Sequence, residues 1–162
     1  PLKIGAQDVS PFEKGAYTGE VAAEQIKEFS EYVLIGHSER RSNLKEDVEI
    51  ISKKVDQALS QGLKVVVCVS SLDELSGLKP EGLVIAYEPI EAIGTGNATD
   101  PTAVEEMAKK IKSMGFKNVI YGGSVNSKNI KTFLDLPSIG GALVGGESLD
   151  PKSFESLIRN AI

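Results

Sequence analysis

Short apolar runs alternate with helix-period segments from one end of these 162 residues to the other, and that alternation limits the fold more than any other feature. The runs are Lys3–Ala6, Tyr32–Ile35, Leu63–Val69, Leu83–Tyr87, Asn118–Tyr121 and Gly141–Val144. Most are near-continuous Val, Ile, Leu and Ala, without the polar–apolar alternation of a strand that faces water on one side. They predict six strands buried on both faces, as in a parallel sheet covered by helices. Between them, Val104, Met107, Ala108 and Ile111 lie at i, i+3, i+4 and i+7, with Glu105–Lys109 and Glu106–Lys110 as i,i+4 pairs on the outside. Asp100-Pro101 opens this helix as N-cap and N1 proline, and Gly115 closes it. Asp150-Pro151 opens the last helix in the same way, with Phe154, Leu157, Ile158 and Ala161 as its stripe. Val48, Ile51, Val55, Ala58 and Leu59 mark a third helix ending near Gly62. Shorter helices are expected within Val21–Phe29 and Ser127–Leu136, and only a turn between Ser70 and Pro80.

Linkers are short, and no low-complexity tract or charge run marks a second unit, so a single domain over 1–162 is expected. Strict βα alternation leads either to an open doubly wound sheet or to a (β/α) barrel, and periodicity does not choose between them. A formal net charge of -5 argues against a general nucleic-acid surface. No run of about 18 apolar residues is present to span a membrane. The N-terminal residues lack a signal-peptide core, and a single cysteine, Cys68, forms no intrachain disulfide; both fit a cytoplasmic protein.

Polar and glycine-rich motifs directly follow the apolar runs: Gln7-Asp8, Gly36-His37-Ser38-Glu39-Arg40-Arg41, Glu88-Pro89, Gly122-Gly123-Ser124 and Gly145-Gly146. Functional groups gathered at the carboxyl ends of successive strands are what the active face of a barrel requires. His37 is the only histidine. A loop histidine in isolation is more often a hydrogen-bonding or capping group than a reactive one. Here Gly36 allows close backbone approach, and a helix turn opening at Ser38-Glu39 would disfavour positive charge at its N-terminus, leaving a neutral imidazole as donor to a carbonyl. Glu88 is either a solvated strand-end carboxylate or a base in a partly desolvated cleft; position alone weighs the two equally. Ile90–Gly96 reads as a plain surface loop or as a lid with flexible ends. Each glycine cluster alone more often marks a tight turn. Together Gly94, Gly122-Gly123-Ser124 and Gly145-Gly146 fit main-chain N–H groups directed at phosphate, with the Ser124 hydroxyl as a further donor. No nucleotide-binding glycine motif is present, and one His and one Cys make no metal-ligand cluster, so neither cofactor nor metal is expected.

In sequence order, Gly36–Arg41, Ala86-Tyr87-Glu88-Pro89, Ala92-Ile93-Gly94-Thr95-Gly96, Tyr121-Gly122-Gly123-Ser124-Val125 and Leu143-Val144-Gly145-Gly146 resemble the triosephosphate isomerase family. The resemblance runs through the whole chain. It implies an α/β fold of (β/α) TIM-barrel type, abridged to about six βα units of eight, with Lys3–Ala6 matching the family's third strand. It further implies Glu88 as the base, His37 as the neutral electrophile and Glu39 as a supporting carboxylate. That Glu–His pairing is what the family resemblance implies. Gly94, Ser124, Gly145 and Gly146 correspond to the phosphate cradle. Pro89, Ile90, Glu91, Ala92, Ile93, Thr95 and Gly96, with Gly94 among them, correspond to the closing lid. Gly15–Gly19 resembles a loop inserted into a neighbouring subunit.

Three departures accompany the resemblance. The family's Asn and Lys at the end of its first strand have no counterpart here. Glu91 stands where bacterial and eukaryotic lids carry an aromatic, and Ser70–Pro80 is short; both are closer to archaeal forms. The expected function is therefore interconversion of a small phosphorylated triose, weakened or lost for want of the lysine, the alternative being a silent phosphate-binding or folding module. An abridged barrel leaves two open edges, so a homo-oligomer is expected, with another copy over the gap.

Overall fold

A computed structural model describes residues 2–89 and 99–162. Five parallel strands form one sheet: β1 (Gly5–Ala6), β2 (Tyr32–Ile35), β3 (Lys64–Val69), β4 (Leu83–Tyr87) and β5 (Asn118–Tyr121). They lie in the order β1-β2-β3-β4-β5. A doubly wound sheet reverses its strand order at a switch point; this one does not, so every crossover leaves the sheet on the same side, as in a barrel wall. The helices are α1 (Ala23–Lys27), α2 (Ser38–Asn43), α3 (Val48–Ser60), α4 (Pro101–Ser113), α5 (Ile130–Leu134) and α6 (Pro151–Asn160), with 3-10 turns at Leu72–Leu75 and Gly146–Leu149. The result is an abridged (β/α) TIM-barrel fold.

Local chemistry explains the helix starts. The Asp47 carboxylate accepts from the Ile50 N–H at 2.8 Å, Asp100 from Thr102 at 3.1 Å and Asp150 from Ser153 at 2.8 Å, each satisfying an orphan donor of the first turn. The core lies between the helices and the outer face of the sheet. Val33, Ile35, Val65, Val67, Ile85 and Val119 meet Ile51, Val55 and Ala58 of α3 and Val104, Ala108 and Ile111 of α4. Each fully buried Val or Ile contributes about 1.5–3 kcal/mol relative to an exposed one.

Three expectations are corrected. The run Gly141–Val144 forms no strand and makes only a single parallel bridge, Tyr121↔Ala142, although the Leu143 N–H still donates to the Tyr121 carbonyl at 2.8 Å. The strand expected at Lys3–Ala6 shrinks to two residues, because an edge is paired on one side only and the Glu31 and Tyr32 N–H groups converge on the Ile4 carbonyl. Finally, the strands are not buried on both faces. The outer face is closed, whereas Leu34, Val66, Val84 and Ile120 on the inner face are only half-buried, since five strands do not curl round to fill their own interior. The same opening shows on α6, where Leu157 is buried but Phe154 and Ile158 stay 36% and 45% exposed. Among the described residues no helix is long and apolar enough to cross a membrane, and no His/Cys/Asp/Glu cluster could hold a metal ion.

Candidate active site

The carboxyl ends of the strands surround a cavity of about 450 Å³ lined by Gln7, His37, Glu39, Glu88, Gly122, Gly123, Ser124, Gly145, Gly146 and Glu147, with Leu34, Leu143 and Val144 as its apolar wall. It brings together six residues singled out separately in the sequence: His37, Glu39, Glu88, Ser124, Gly145 and Gly146. Gly94 and the lid positions Ile90, Glu91, Ala92, Ile93, Thr95 and Gly96 lie outside the described residues; Pro89 is described and buried.

His37 is placed by the β2–α2 turn. Gly36 has φ +74°, a left-handed conformation that strains any residue with a side chain, and a Cβ there would press on the Arg41 guanidinium at 3.1 Å and on Ile51 at 3.2 Å. The chain then enters α2 with His37 as its N-cap, its Nδ1 accepting from the Glu39 N–H at 3.3 Å. A neutral imidazole whose Nδ1 lone pair is taken carries its proton on Nε2. That Nε2 is 3.4 Å from Glu88 Oε1.

Glu88 follows β4, where its N–H donates to the Val69 carbonyl at 2.8 Å. It is 3% exposed. Its other oxygen, Oε2, accepts a long hydrogen bond of 3.5 Å from the Ser38 N–H. Burial raises its pKa above the ordinary carboxylate value of 4.5, and repulsion from Glu39 adds to this. The His37 imidazole, the Ser38 N–H and the Cys68 thiol pull the other way, and burial wins. A carboxylate held this way is a stronger base than one in water.

Gly122 has its own reason to be glycine. A Cβ there would sit 2.7 Å from Glu88 Cγ, so the position makes room for the carboxylate. The Gly122 N–H donates to the Tyr87 carbonyl at 2.8 Å, which keeps its backbone in register with β4. At Gly145 and Gly146 an added Cβ would meet nothing within 4 Å among the described residues, leaving their backbone open to a ligand. The Ser124 carbonyl is held by the Asn129 side-chain amide at 2.9 Å. Glu39 is 3.9 Å from His37 Nδ1, and its side chain is 77% exposed.

Two participants do not emerge from the sequence reading above. Cys68, read there only for disulfide chemistry, lies close enough to Glu88 for their charges to interact, and its thiol is kept protonated by burial and by that neighbouring charge. Cys68 pairs with Ala86, two residues before Glu88, so the period-2 rule would place both side chains on one face once the β3–β4 register is known. Arg41 donates to the Gly36 carbonyl at 2.8 Å and to the Cys68 carbonyl at 3.0 Å, tying the His37 turn to β3.

The raised pKa of Glu88 has a consequence for stability. Its protonated form is favoured by the fold, so this contribution is fully present below the ordinary carboxylate value and is lost as pH rises through the raised one. Glu88→Gln, which cannot ionise, is therefore expected to melt higher than the parent at pH 7–8. The advantage should shrink toward zero as the pH falls below about 4. Thermal denaturation across that range checks it, at about 2–4 °C per kcal/mol for a chain of this size.

Strands in sequence order, with a carboxylate, an imidazole and open glycine backbone converging at their carboxyl ends, define an abridged (β/α)-barrel protein with its candidate site at the end where such barrels carry theirs. Residues 1–161 match the family model described as triosephosphate isomerase. The triosephosphate isomerase of Dehalococcoides mccartyi strain BAV1 is 39% identical over 188 residues, which cover 99% of this chain and 74% of that one. That of Mesomycoplasma hyopneumoniae strain 232 is 40% identical over 181 residues, 99% of this chain and 75% of that one. The Coxiella burnetii (Dugway) enzyme is 38% identical, covering 94% and 72%. This chain belongs to the triosephosphate isomerase family, and isomerase activity is the general function of that family.

Proposed function

We propose that this protein interconverts dihydroxyacetone phosphate and glyceraldehyde 3-phosphate without cofactor, the 3.4 Å approach of His37 Nε2 to Glu88 being the observation that carries the reading. The Glu88 carboxylate takes a proton from C1 of the ketose. The C–H electron pair becomes the C1=C2 bond, and the C2 carbonyl electrons move onto oxygen, where the His37 Nε2–H donates. Glu88 then returns the proton to C2 on the C1=C2 electron pair, while the C1 hydroxyl gives its proton to the imidazole that protonated the C2 oxygen and becomes the aldehyde, so no electron acceptor or metal is consumed. Glu39 acts as a supporting carboxylate through His37. Gly145, Gly146 and Ser124, with Gly94, supply the phosphate cradle, and Pro89–Gly96 closes over an enediolate that water would otherwise help to lose its phosphate.

One feature favours a second reading. Among the described residues no lysine or arginine lines the cavity, whereas Glu39, Glu88 and Glu147 do. A phosphate dianion entering there finds no counter-charge, and such a cation ordinarily stabilises the transition state by several kcal/mol. We therefore propose turnover below the family's ordinary level for these 162 residues, with a silent phosphate-binding module as the limit. A coupled assay of the purified protein distinguishes them: ketose-dependent aldehyde formation above the buffer blank supports catalysis. A rate equal to the blank, with inorganic phosphate still binding, leaves the silent module.

The chain is proposed to act as a homo-oligomer in the cytoplasm, where the free, buried Cys68 stays reduced. Support comes from the β1 edge, where Leu2 and Ile4 are exposed, from the α6 face bearing Phe154 and Ile158, and from the half-buried inner face of the sheet. Light scattering should give a mass of at least twice 17.3 kDa down to low micromolar protein. A monodisperse monomer would refute it.

A further inference from the structure

α2 carries His37 at its head but has no ordinary means of staying in place. Its six residues make fewer than two turns, too few for stability in isolation. Helices in proteins are usually fixed by a buried apolar stripe, yet none of Ser38–Asn43 is buried. Its position must come from polar anchors. Arg41 supplies one, through the Gly36 and Cys68 carbonyls.

The other anchor is a cluster of four charges away from the cavity wall. Arg40 on α2 donates to Glu46 Oε1 through Nε at 2.8 Å and lies 2.7 Å from Asp8 Oδ2. Lys54, from α3, places its ammonium 2.8 Å from both Asp8 oxygens and 2.6 Å from Glu46 Oε1. Lys54 is only 2% exposed and Glu46 only 8%. Two cations and two anions balance, and each carboxylate takes both cations, so the arrangement is over-determined. Burial alone would raise the Glu46 pKa, but hydrogen bonds from Arg40 and Lys54 outweigh it and hold it below the usual range. Asp8 also ties the cluster to the β1 end, next to Gln7 in the cavity wall.

We propose that the Asp8–Arg40–Glu46–Lys54 quartet is the positioning device of His37, with Lys54 its central positioning residue: through Arg40 it fixes α2, and so sets the direction in which the imidazole Nε2 and the Ser38 N–H face Glu88. Without the ammonium, two carboxylates share one guanidinium. Glu46 cannot absorb the loss, because its Oε2 is already buried with no hydrogen-bond partner among the described residues. Asp8 and Glu46 then repel, Arg40 is redistributed between them, and α2 moves with it.

This deepens the reading of His37 as electrophile and rests on it, but its test reads the imidazole directly and is independent of turnover. As the only histidine, His37 gives one imidazole Hε1–Cε1 cross-peak in a ¹H–¹³C spectrum of the whole protein. In Lys54→Met, recorded well below its unfolding midpoint, the peak is expected to move by more than its linewidth. In Lys54→Arg, which keeps the charge, it is expected to return toward the parent position. Ile111→Val on α4, which lowers stability elsewhere in the core, should leave it in place. A peak unmoved in Lys54→Met, or moved as far by Ile111→Val, would overturn the proposal. Where Lys54→Met does not fold, Asp8→Asn at the partly exposed carboxylate takes its place: a smaller displacement in the same direction supports the device, and none overturns it.

Discussion

In Glu88→Gln, turnover of the triose phosphate falls by about 10²–10⁴-fold with KM little changed. The amide keeps the shape of the carboxylate and its contacts with Ser38 and Cys68, but it offers no basic lone pair to the C1 proton. The loss therefore falls on the step and not on binding. In the parent, the ionised form of Glu88 is the active one, so kcat/KM should decline on the acid side through a pKa above the ordinary carboxylate value of 4.5. That acid limb should vanish in the variant. Steady-state kinetics at several pH values checks both; a variant within a few-fold of the parent would move the base elsewhere.

Gly122→Ala is expected to lower kcat by about 100-fold although it adds one methyl group and touches no substrate. The new Cβ falls 2.7 Å from Glu88 Cγ, and neither backbone can yield. The Gly122 N–H is bonded to Tyr87 and the Glu88 N–H to Val69, both at 2.8 Å. The carboxylate must swing away from His37, and a misplacement of about 1 Å costs on the order of 10²-fold in rate. Overpacking should also cost about 1–3 kcal/mol of stability. Gly145→Ala is the contrast, because its Cβ meets nothing within 4 Å among the described residues. A loss there without loss of stability would point to contact with the ligand. Kinetics and melting of the pair separate the two causes.

Much of the architecture is written locally, and that part is legible. Asp-Pro starts at 100–101 and 150–151 specify helix beginnings through chemistry confined to four residues, and both helices begin there. Near-continuous Val/Ile/Leu runs locate β2 to β5 because a strand's burial is imprinted on its own side chains. What is decided by neighbours is not legible. The apolar stripe on α6 is genuine, but whether Phe154 and Ile158 are covered depends on what packs beside them. Gly141–Val144 has strand composition and makes a single bridge, because a strand needs partners as well as residues. In the site, His37 and Glu88 stand out by type and position. The contribution of Cys68 depends on the β3–β4 register, and that of Lys54 on contacts 46 and 8 residues away with Asp8 and Glu46. Helical spacing puts Lys54 on the buried face of α3 with Ile51, Val55 and Ala58, but nothing in that spacing names its partners.

The base itself can be watched at work without waiting for product. With dihydroxyacetone phosphate in D₂O, proton NMR follows exchange at C1. If Glu88 removes a proton from one face of a bound ketose, the parent should wash deuterium into one of the two C1 positions, and Glu88→Gln should not exceed buffer. Equal exchange in both proteins, or none in the parent, would contradict the assignment of this cavity as an isomerase site.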